Sequence, residues 1–198
     1  MEIRTFIRSV LKEAFSGLDE AMINSSTIEP GIGLFIKAKQ GVVDFTLYDP
    51  TQNKVYGHMG IHKLSSGNWA VGGIGTEYGY GPLMYEMAMS YVYPNALMPT
   101  RDGDVRGGAI DVWRKFLKRK DVNKVRLTKK DRDFSFDTYE DMGNGPDVRF
   151  IQTKYYYDGA KGILNDLKKK GIEYLKQGSD LNAIDRMGNE FWFDKYDE

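Results

Sequence analysis

The sequence is most informative at Val71-Gly-Gly-Ile-Gly-Thr-Glu-Tyr-Gly-Tyr-Gly-Pro-Leu-Met-Tyr-Glu-Met-Ala-Met89. This stretch starts as a short apolar strand, turns at Gly79 and Gly81, and continues from Pro82 as a mostly apolar helix. The first N–H groups of a helix have no partner inside it and lie at the positive end of its dipole. Glycine leaves the backbone open to a bulky anion, and proline suits the first helical position. The stretch therefore predicts a phosphate-binding turn.

The predicted donors are the backbone amides of five residues at this turn: Gly79, Tyr80, Gly81, Leu83 and Met84. A ligand-free turn from strand to helix would also select glycine and proline, so that alternative stays open. Two other glycine loops are excluded by their residues. A dinucleotide fingerprint would need glycine where Tyr78 stands, and a P-loop would need Ser or Thr after Lys161, where Gly-Ile follows.

Length and composition predict one domain, residues 1–198. The chain is 41% hydrophobic and 13% aromatic, which is enough for one sizeable core but too little for two. The formal net charge is zero, so no overall charge favours nucleic acid or an anionic membrane. There are no cysteines, which excludes disulfides and thiolate sites, and no apolar run reaches the length of a membrane span. We expect a soluble, cytoplasmic protein.

The order of elements predicts a mixed α/β (α+β) fold. An amphipathic helix at 3–15 and a polar linker fill residues 1–33, and a core of strands and helices follows at 34–130. That core begins as an antiparallel meander at 34–39, 42–48 and 54–62, and later has helices at 82–92 and 109–120 and strands at 96–98 and 121–127. Residues 131–198 are predicted to form a loop and a helical extension. A helix from Asp158 is expected to bury Leu164 and Leu175. A short helix at 181–187 follows, and Ser179 is its predicted cap. The aromatic segment 190–196 either packs back on the core or contacts a partner.

Three motifs carry a resemblance to a known family: Tyr78-Gly-Tyr-Gly-Pro-Leu-Met-Tyr-Glu-Met-Ala-Met, Asp111-Val-Trp and Arg119-Lys-Asp-Val. Over residues 41–127 the chain resembles the GNAT acetyltransferase superfamily, and more closely the stand-alone GNAT-like proteins encoded by tailed phages. The resemblance implies that the glycine loop binds the pyrophosphate of acetyl-CoA and that pantetheine lies in a splay between the loop strand and the next strand. The cofactor-binding residues that it implies are Ile74, Gly75, Thr76, Tyr78, Gly79, Tyr80, Gly81, Leu83 and Met84.

The chain also departs from the pattern of that family. Thr76 stands where the family has Arg or Gln, and Trp113 stands where many members have a tyrosine that protonates the leaving thiolate. Tyr85 is the named candidate to replace that tyrosine, and another of the tyrosines in the chain is the alternative. A general base is needed because an amine is mostly protonated at neutral pH, and Glu77 is the candidate in the loop.

The two histidines, His58 and His62, lie four apart on a predicted strand and would share a face. As a metal pair they lack an evident third ligand, and as bases they compete with the simpler interpretation of surface or half-buried histidines. The sequence therefore predicts no metal site.

Function remains divided between two classes at this level. The resemblance implies an acetyl-CoA-dependent N-acetyltransferase that acts on an unidentified amine, in a phage-infected host cytoplasm. The alternative is a noncatalytic protein of the same fold, either a virion component or a binder or inhibitor of a host factor. A basic run at 114–130 has nine Lys and Arg residues and one acid. It is interpreted as a solvated face in preference to a nucleic-acid site.

Overall fold

The computed structural model describes residues 32–99, 105, 108–128, 131, 150–151, 153–157, 164, 174–175 and 179–196, with the backbone alone at 174–175, 179–182 and 193–196. The amphipathic helix predicted at 3–15 lies outside the described residues, as does most of the helix predicted from Asp158. The strands are β1 (Gly33–Lys39), β2 (Val42–Asp49), β3 (Lys54–Lys63), β4 (Trp69–Thr76), β5 (Leu97–Met98), β6 (Asn123–Arg126), β7 (Thr153–Tyr156) and β8 (Tyr174–Leu175). The helices are α1 (Gly81–Val92), α2 (Gly108–Lys118) and α3 (Ser179–Tyr196). The mixed α/β class is confirmed.

The described strands form one mixed sheet in the order β6-β7-β5-β4-β3-β2-β1-β8. Strands β1 to β4 pair antiparallel in chain order, which confirms the predicted meander. The β1–β2 hairpin turns through Gln40 and Gly41, both at positive φ (45° and 84°), as a two-residue hairpin requires. Two neighbouring pairs are parallel, β4 with β5 and β1 with β8.

Helices cover both faces of this sheet. Gly57 of β3 lies against Met84 of α1, whereas the next residue, His58, lies against Gly188 of α3. Successive residues of a strand point to opposite faces, so α1 and α3 pack on opposite sides. The larger core lies on the α1 side. It includes buried residues of α1 and α2 together with apolar residues of the central strands: Leu34, Ile36, Phe45, Leu47, Met59 and Ile61.

The carboxy-terminal part of the chain differs from its prediction. Strand β7 lies inside the sheet, between β5 and β6, and β8 forms an edge, so the sheet extends beyond the predicted 34–130 segment. Leu175 was predicted in a helix but is in β8, because the edge of β1 offers it backbone partners. Leu164 is buried as predicted. The helix predicted at 181–187 is too short, since α3 runs over Ser179–Tyr196. Its aromatic end packs back through Phe191 and Trp192.

A glycine in α3 leaves space for His58. A Cβ atom built on Gly188 would lie 2.3 Å from His58 Nδ1, far inside contact distance. We expect Gly188→Ala to lower the free energy of unfolding by about 1–3 kcal/mol, because the overpacking outweighs the ~1 kcal/mol that alanine gains over glycine in a helix. Urea unfolding measures the change. Gly108→Ala is the control, since a Cβ there meets no atom of the described residues within 4 Å. Equal effects of the two substitutions would contradict this packing.

Candidate functional site

The glycine turn between β4 and α1 is a tight, internally bonded loop. The Glu77 amide donates to the Tyr56 carbonyl at 2.9 Å, and the Tyr80 amide donates to the Glu77 carbonyl at 3.2 Å. Gly79 has φ +95°, a left-handed conformation that residues with side chains rarely adopt. Pro82 lies in the first turn of α1, as the sequence predicts. A glycine is therefore required at 79 by the backbone alone.

The five predicted donor amides do not all remain open. Tyr80 N–H is used within the turn, and Met84 N–H donates to the Tyr80 carbonyl at 3.1 Å. Among the described residues, no partner is found for the amides of Gly79, Gly81 and Leu83. Among the described residues no side chain caps α1, and its first turn contains no acid, so nothing in that turn offsets the positive end of the helix. The predicted cradle is thus reduced to three amides.

Side chains of the predicted cofactor-binding residues divide between the surface and the core. Tyr78 is 64% exposed, and the rings of Tyr80 and Tyr56 have centroids 5.4 Å apart beside the turn. Leu83 and Met84 are fully buried beneath it. Met84 therefore offers neither an open amide nor an exposed side chain.

The remaining predicted residues lie at the end of β4. Ile74 and Thr76 are half-buried and Gly75 is buried. The Thr76 side chain lies close to Gly81 and to Gly57. A Cβ built on Gly81 would be 3.6 Å from Thr76 Oγ1, and a Cβ built on Gly57 would be 3.1 Å from Thr76 Cγ2. The Thr76 side chain is therefore part of the wall of the turn.

Strand β4 leaves its parallel neighbour before it reaches the turn. Pairing between β4 and β5 is confined to Trp69 with Leu97 and Ala70 with Met98. Val71 and residues 73–76 remain paired to β3 on one side, with Gly72 at an irregularity of the pairing. On the other side no strand among the described residues pairs with them. An edge of backbone polar groups therefore leads from the end of β5 to the glycine turn.

The predicted proton donor is in the core. Tyr85 is 2% exposed, and its ring packs on Trp113 with centroids 4.8 Å apart. Burial raises the pKa of the Tyr85 hydroxyl well above its ordinary value, which makes it a poorer acid. Trp113 is itself 1% exposed. The predicted base Glu77 is half-buried in the glycine turn.

The two histidines have different environments. His62 is exposed, whereas His58 is 3% exposed and its Nδ1 lies 2.9 Å from Thr46 Oγ1. Burial lowers the pKa of His58 to about 4. The structure brings His58 to Asp44 and Asp185, and one ligand atom from each lies within 4.8 Å of the others.

Sequence reasoning missed both acids. Asp44 interrupts the apolar run of β2, and a charged residue at such a position was the available signal. Asp185 gave no comparable signal, because it lies in a predicted helix far along the chain, where an acid is ordinary.

A second buried polar group joins α1 to the segment after α2. Glu86, 3% exposed, forms an ion pair with Arg119, which also bonds to Asp121 and donates to Tyr157 Oη at 2.6 Å. Lys124 donates to the Leu117 carbonyl at 3.3 Å. Two cations of the basic run are therefore engaged inside the protein, which reduces what the run presents to solvent.

Comparison of the chain with family models, with curated proteins and with solved structures found no match. Among the described helices, none combines the length and the apolar character needed to cross a bilayer.

Proposed function

We propose that this chain binds acetyl-CoA at the glycine turn and along the open edge of β4, and that it acts as an N-acetyltransferase on an amine. Two features of the described residues together carry the proposal: three amides at the start of α1 for which no partner is found, and the edge of β4 at residues 71–76 that no strand pairs with on the β5 side. The open amides of the turn suit a pyrophosphate, and the open edge of β4 suits a linear chain that contains amide groups.

The chemistry of the cofactor matches these two features. The pyrophosphate would accept from the amides of Gly79, Gly81 and Leu83, where the helix dipole adds to the attraction. Pantetheine has two amide groups, which can pair with a free strand edge as an added strand does. The thioester would then lie between the diverging strands, beyond Met98.

Acetyl transfer in this arrangement is a direct displacement. The amine nitrogen attacks the thioester carbonyl carbon, the carbon–sulfur bond breaks, and CoA leaves as its thiolate. The amine must also lose a proton, and Glu77 in the turn is the predicted residue with a carboxylate available for it. The buried Tyr85 is not suited to protonate the thiolate, so water or the acceptor would supply that proton.

A noncatalytic protein of the same fold is the second candidate. It is favoured by the burial of Tyr85 and Trp113 against each other, which leaves neither of them exposed to a leaving group. In that case the chain would serve as a virion component or as a binder of a host factor, and acetyl-CoA would be neither bound nor consumed.

Two matched glycine variants test the cofactor site. In Gly81→Val the new Cβ meets Thr76 Oγ1 at an ordinary 3.6 Å, so the fold is retained while the side chain obstructs the turn. In Gly108→Val the same change is made at the first residue of α2, where a Cβ meets nothing within 4 Å in the part of the chain that the structure describes. We expect Gly81→Val to lose acetyl-CoA binding in calorimetry by about 100-fold or more, equivalent to ~2.7 kcal/mol, and Gly108→Val to keep it. Equal binding by both variants would remove the turn from the site.

Transfer is tested separately by the release of free CoA thiol from acetyl-CoA in the presence of polyamines, aminoglycosides and amino-terminal peptides. Release that depends on the amine and falls in Glu77→Gln supports the transferase. Binding of acetyl-CoA without any release would favour a protein that has lost the transfer step.

A further inference from the structure

A buried group of potential ligands joins α3 to the sheet, on the face opposite α1. Asp44 of β2, His58 of β3 and Asp185 of α3 each offer one atom, and these atoms lie within 4.8 Å of one another. His58 is almost fully buried and the two acids are half-buried. We propose that this group, the Asp44–His58–Asp185 site, binds one divalent transition-metal ion such as Zn²⁺ and thereby fixes α3 to the sheet.

The donor set selects the class of metal. One imidazole nitrogen and two carboxylate oxygens form a mixed nitrogen and oxygen set, which Zn²⁺ accepts at about 2.0–2.2 Å in tetrahedral geometry. Magnesium and calcium prefer oxygen ligands alone. Tetrahedral bonds of that length place ligand atoms about 3.4 Å apart, so atoms within 4.8 Å of one another need only small side-chain rotations to reach it.

The surrounding residues hold these ligands in place. Thr46 Oγ1 lies 2.9 Å from His58 Nδ1 and restrains the orientation of the ring, which leaves Nε2 as the ring nitrogen that this contact does not occupy. Gly188 leaves the space that the ring occupies against α3. Gly60 has the same role for Asp44, because a Cβ there would lie 3.0 Å from Asp44 Oδ1.

The local charge favours a cation. Asp185 Oδ2 accepts from Lys37 Nζ at 2.5 Å, whereas the buried Asp185 Oδ1 has no hydrogen-bond partner among the described residues. The Asp44–His58–Asp185 site thus has two carboxyl groups and one adjacent ammonium group, so a bound cation would offset the second carboxylate.

Lys37 does not prevent metal binding. Its side chain is 34% exposed, so the ammonium group can turn toward solvent when an ion enters. The lysine therefore competes with the metal for Asp185. The site shares no residue with the proposed acetyl-CoA site, because its ligands belong to β2, β3 and α3 and none belongs to the glycine turn.

The test uses the full chain, dialysed against a chelator and then titrated with Zn²⁺ in a calorimeter. We expect one Zn²⁺ per chain and, at free Zn²⁺ about a hundredfold above the dissociation constant, a rise in the thermal midpoint of roughly 5–10 °C. Asp185→Asn and Asp44→Asn should each weaken binding by about 100-fold or more, since loss of supporting residues alone costs 10–100-fold. The control is His62→Gln, because His62 is the exposed histidine on the same strand, and it should bind as the wild type does.

Lys37→Met separates a metal site from a purely structural ion pair. Removal of the competing cation should tighten Zn²⁺ binding by roughly tenfold, since the lysine then no longer competes for Asp185 Oδ2. A structural pair alone predicts a lower thermal midpoint and no response to Zn²⁺. Absence of stoichiometric binding to the wild type, or equal binding by Asp185→Asn and the wild type with far-UV circular dichroism unchanged, would overturn the proposal.

Discussion

Arg119→Met is expected to lower the free energy of unfolding by about 3–5 kcal/mol, because it leaves a carboxylate in the core without its cation. Glu86 is 3% exposed and the Arg119 side chain is 12% exposed, so solvent cannot replace the lost partner. Arg119 also bonds to Asp121 and Tyr157, and both would lose that contact. Denaturant unfolding of the variant and the wild type measures the loss.

The pH dependence of this loss has a defined sign. Burial raises the pKa of Glu86 above its ordinary value of 4.5 even with Arg119 present, and removal of the cation raises it further. A carboxyl group whose pKa is higher in the folded than in the unfolded protein costs no stability at a pH below both values, because it is protonated in both states. The cost grows as the pH rises through the unfolded pKa toward the folded pKa. The difference between Arg119→Met and the wild type should therefore shrink as the pH falls toward 4.5.

The double variant Glu86→Gln, Arg119→Met is the control for that argument. It removes both charges, so we expect it to be more stable than Arg119→Met alone, as replacement of a whole buried pair is often tolerated. Arg119→Met with the same free energy of unfolding as the wild type would contradict the coupling of Glu86 and Arg119. So would a double variant whose loss of stability equals the sum of the losses from the two single substitutions.

Trp113→Ala is expected to cost about 3–5 kcal/mol through the cavity that it leaves. The indole is 1% exposed and packs on three aromatic rings, with centroids 4.8 Å from Tyr85, 5.8 Å from Phe116 and 4.8 Å from Tyr155. These contacts join α1, α2 and β7, which approach one another only in the folded chain. The loss should therefore affect the packing of three elements at once.

Tyr78→Ala is the matched aromatic truncation for this prediction, since Tyr78 is 64% exposed. We expect it to change stability by no more than about 0.5 kcal/mol. Chemical denaturation of both variants gives the comparison. A Trp113→Ala loss below about 1 kcal/mol would mean that the aromatic cluster is not the support of this part of the core.

Local patterns in the sequence predicted most of the central sheet and both of its first helices. The β-branched and aromatic residues of β1, β2 and β3, with turn residues between them, placed these strands within a residue or two of their bounds, because the strands are long and pair with their neighbours in sequence. Helix α1 was predicted as buried nearly all round from its single charged residue, Glu86, and the structure confirms this. These features follow from residues that are close together in the sequence.

The remainder depends on contacts between distant segments. Strand β7 has four residues and enters the sheet between β5 and β6, and its pairing partners are not apparent from its own pattern. The short β8 is a strand because β1 offers an edge. Likewise, Tyr85 lies in the core because α2 covers it, which its position beside the glycine turn did not indicate.

The candidate site was predicted in outline and changed in its details. The glycine and proline positions at 79–82 predicted the turn, since a left-handed residue and a helix start have strong residue preferences. Which amides remain open depended on the hydrogen bonds of Tyr80 and Met84, and these follow from the exact path of the turn. The meeting of Asp44, His58 and Asp185 required the position of α3 on the sheet.

The most direct measurement is the thermal midpoint of the purified wild-type chain with and without excess acetyl-CoA. At about a hundred times its dissociation constant, a ligand that binds the folded state stabilises it by ~2.7 kcal/mol. For a domain of this size we expect a rise of roughly 5–10 °C with acetyl-CoA and with CoA. No rise with either ligand at millimolar concentration would contradict the assignment of the glycine turn and the β4 edge as a cofactor site.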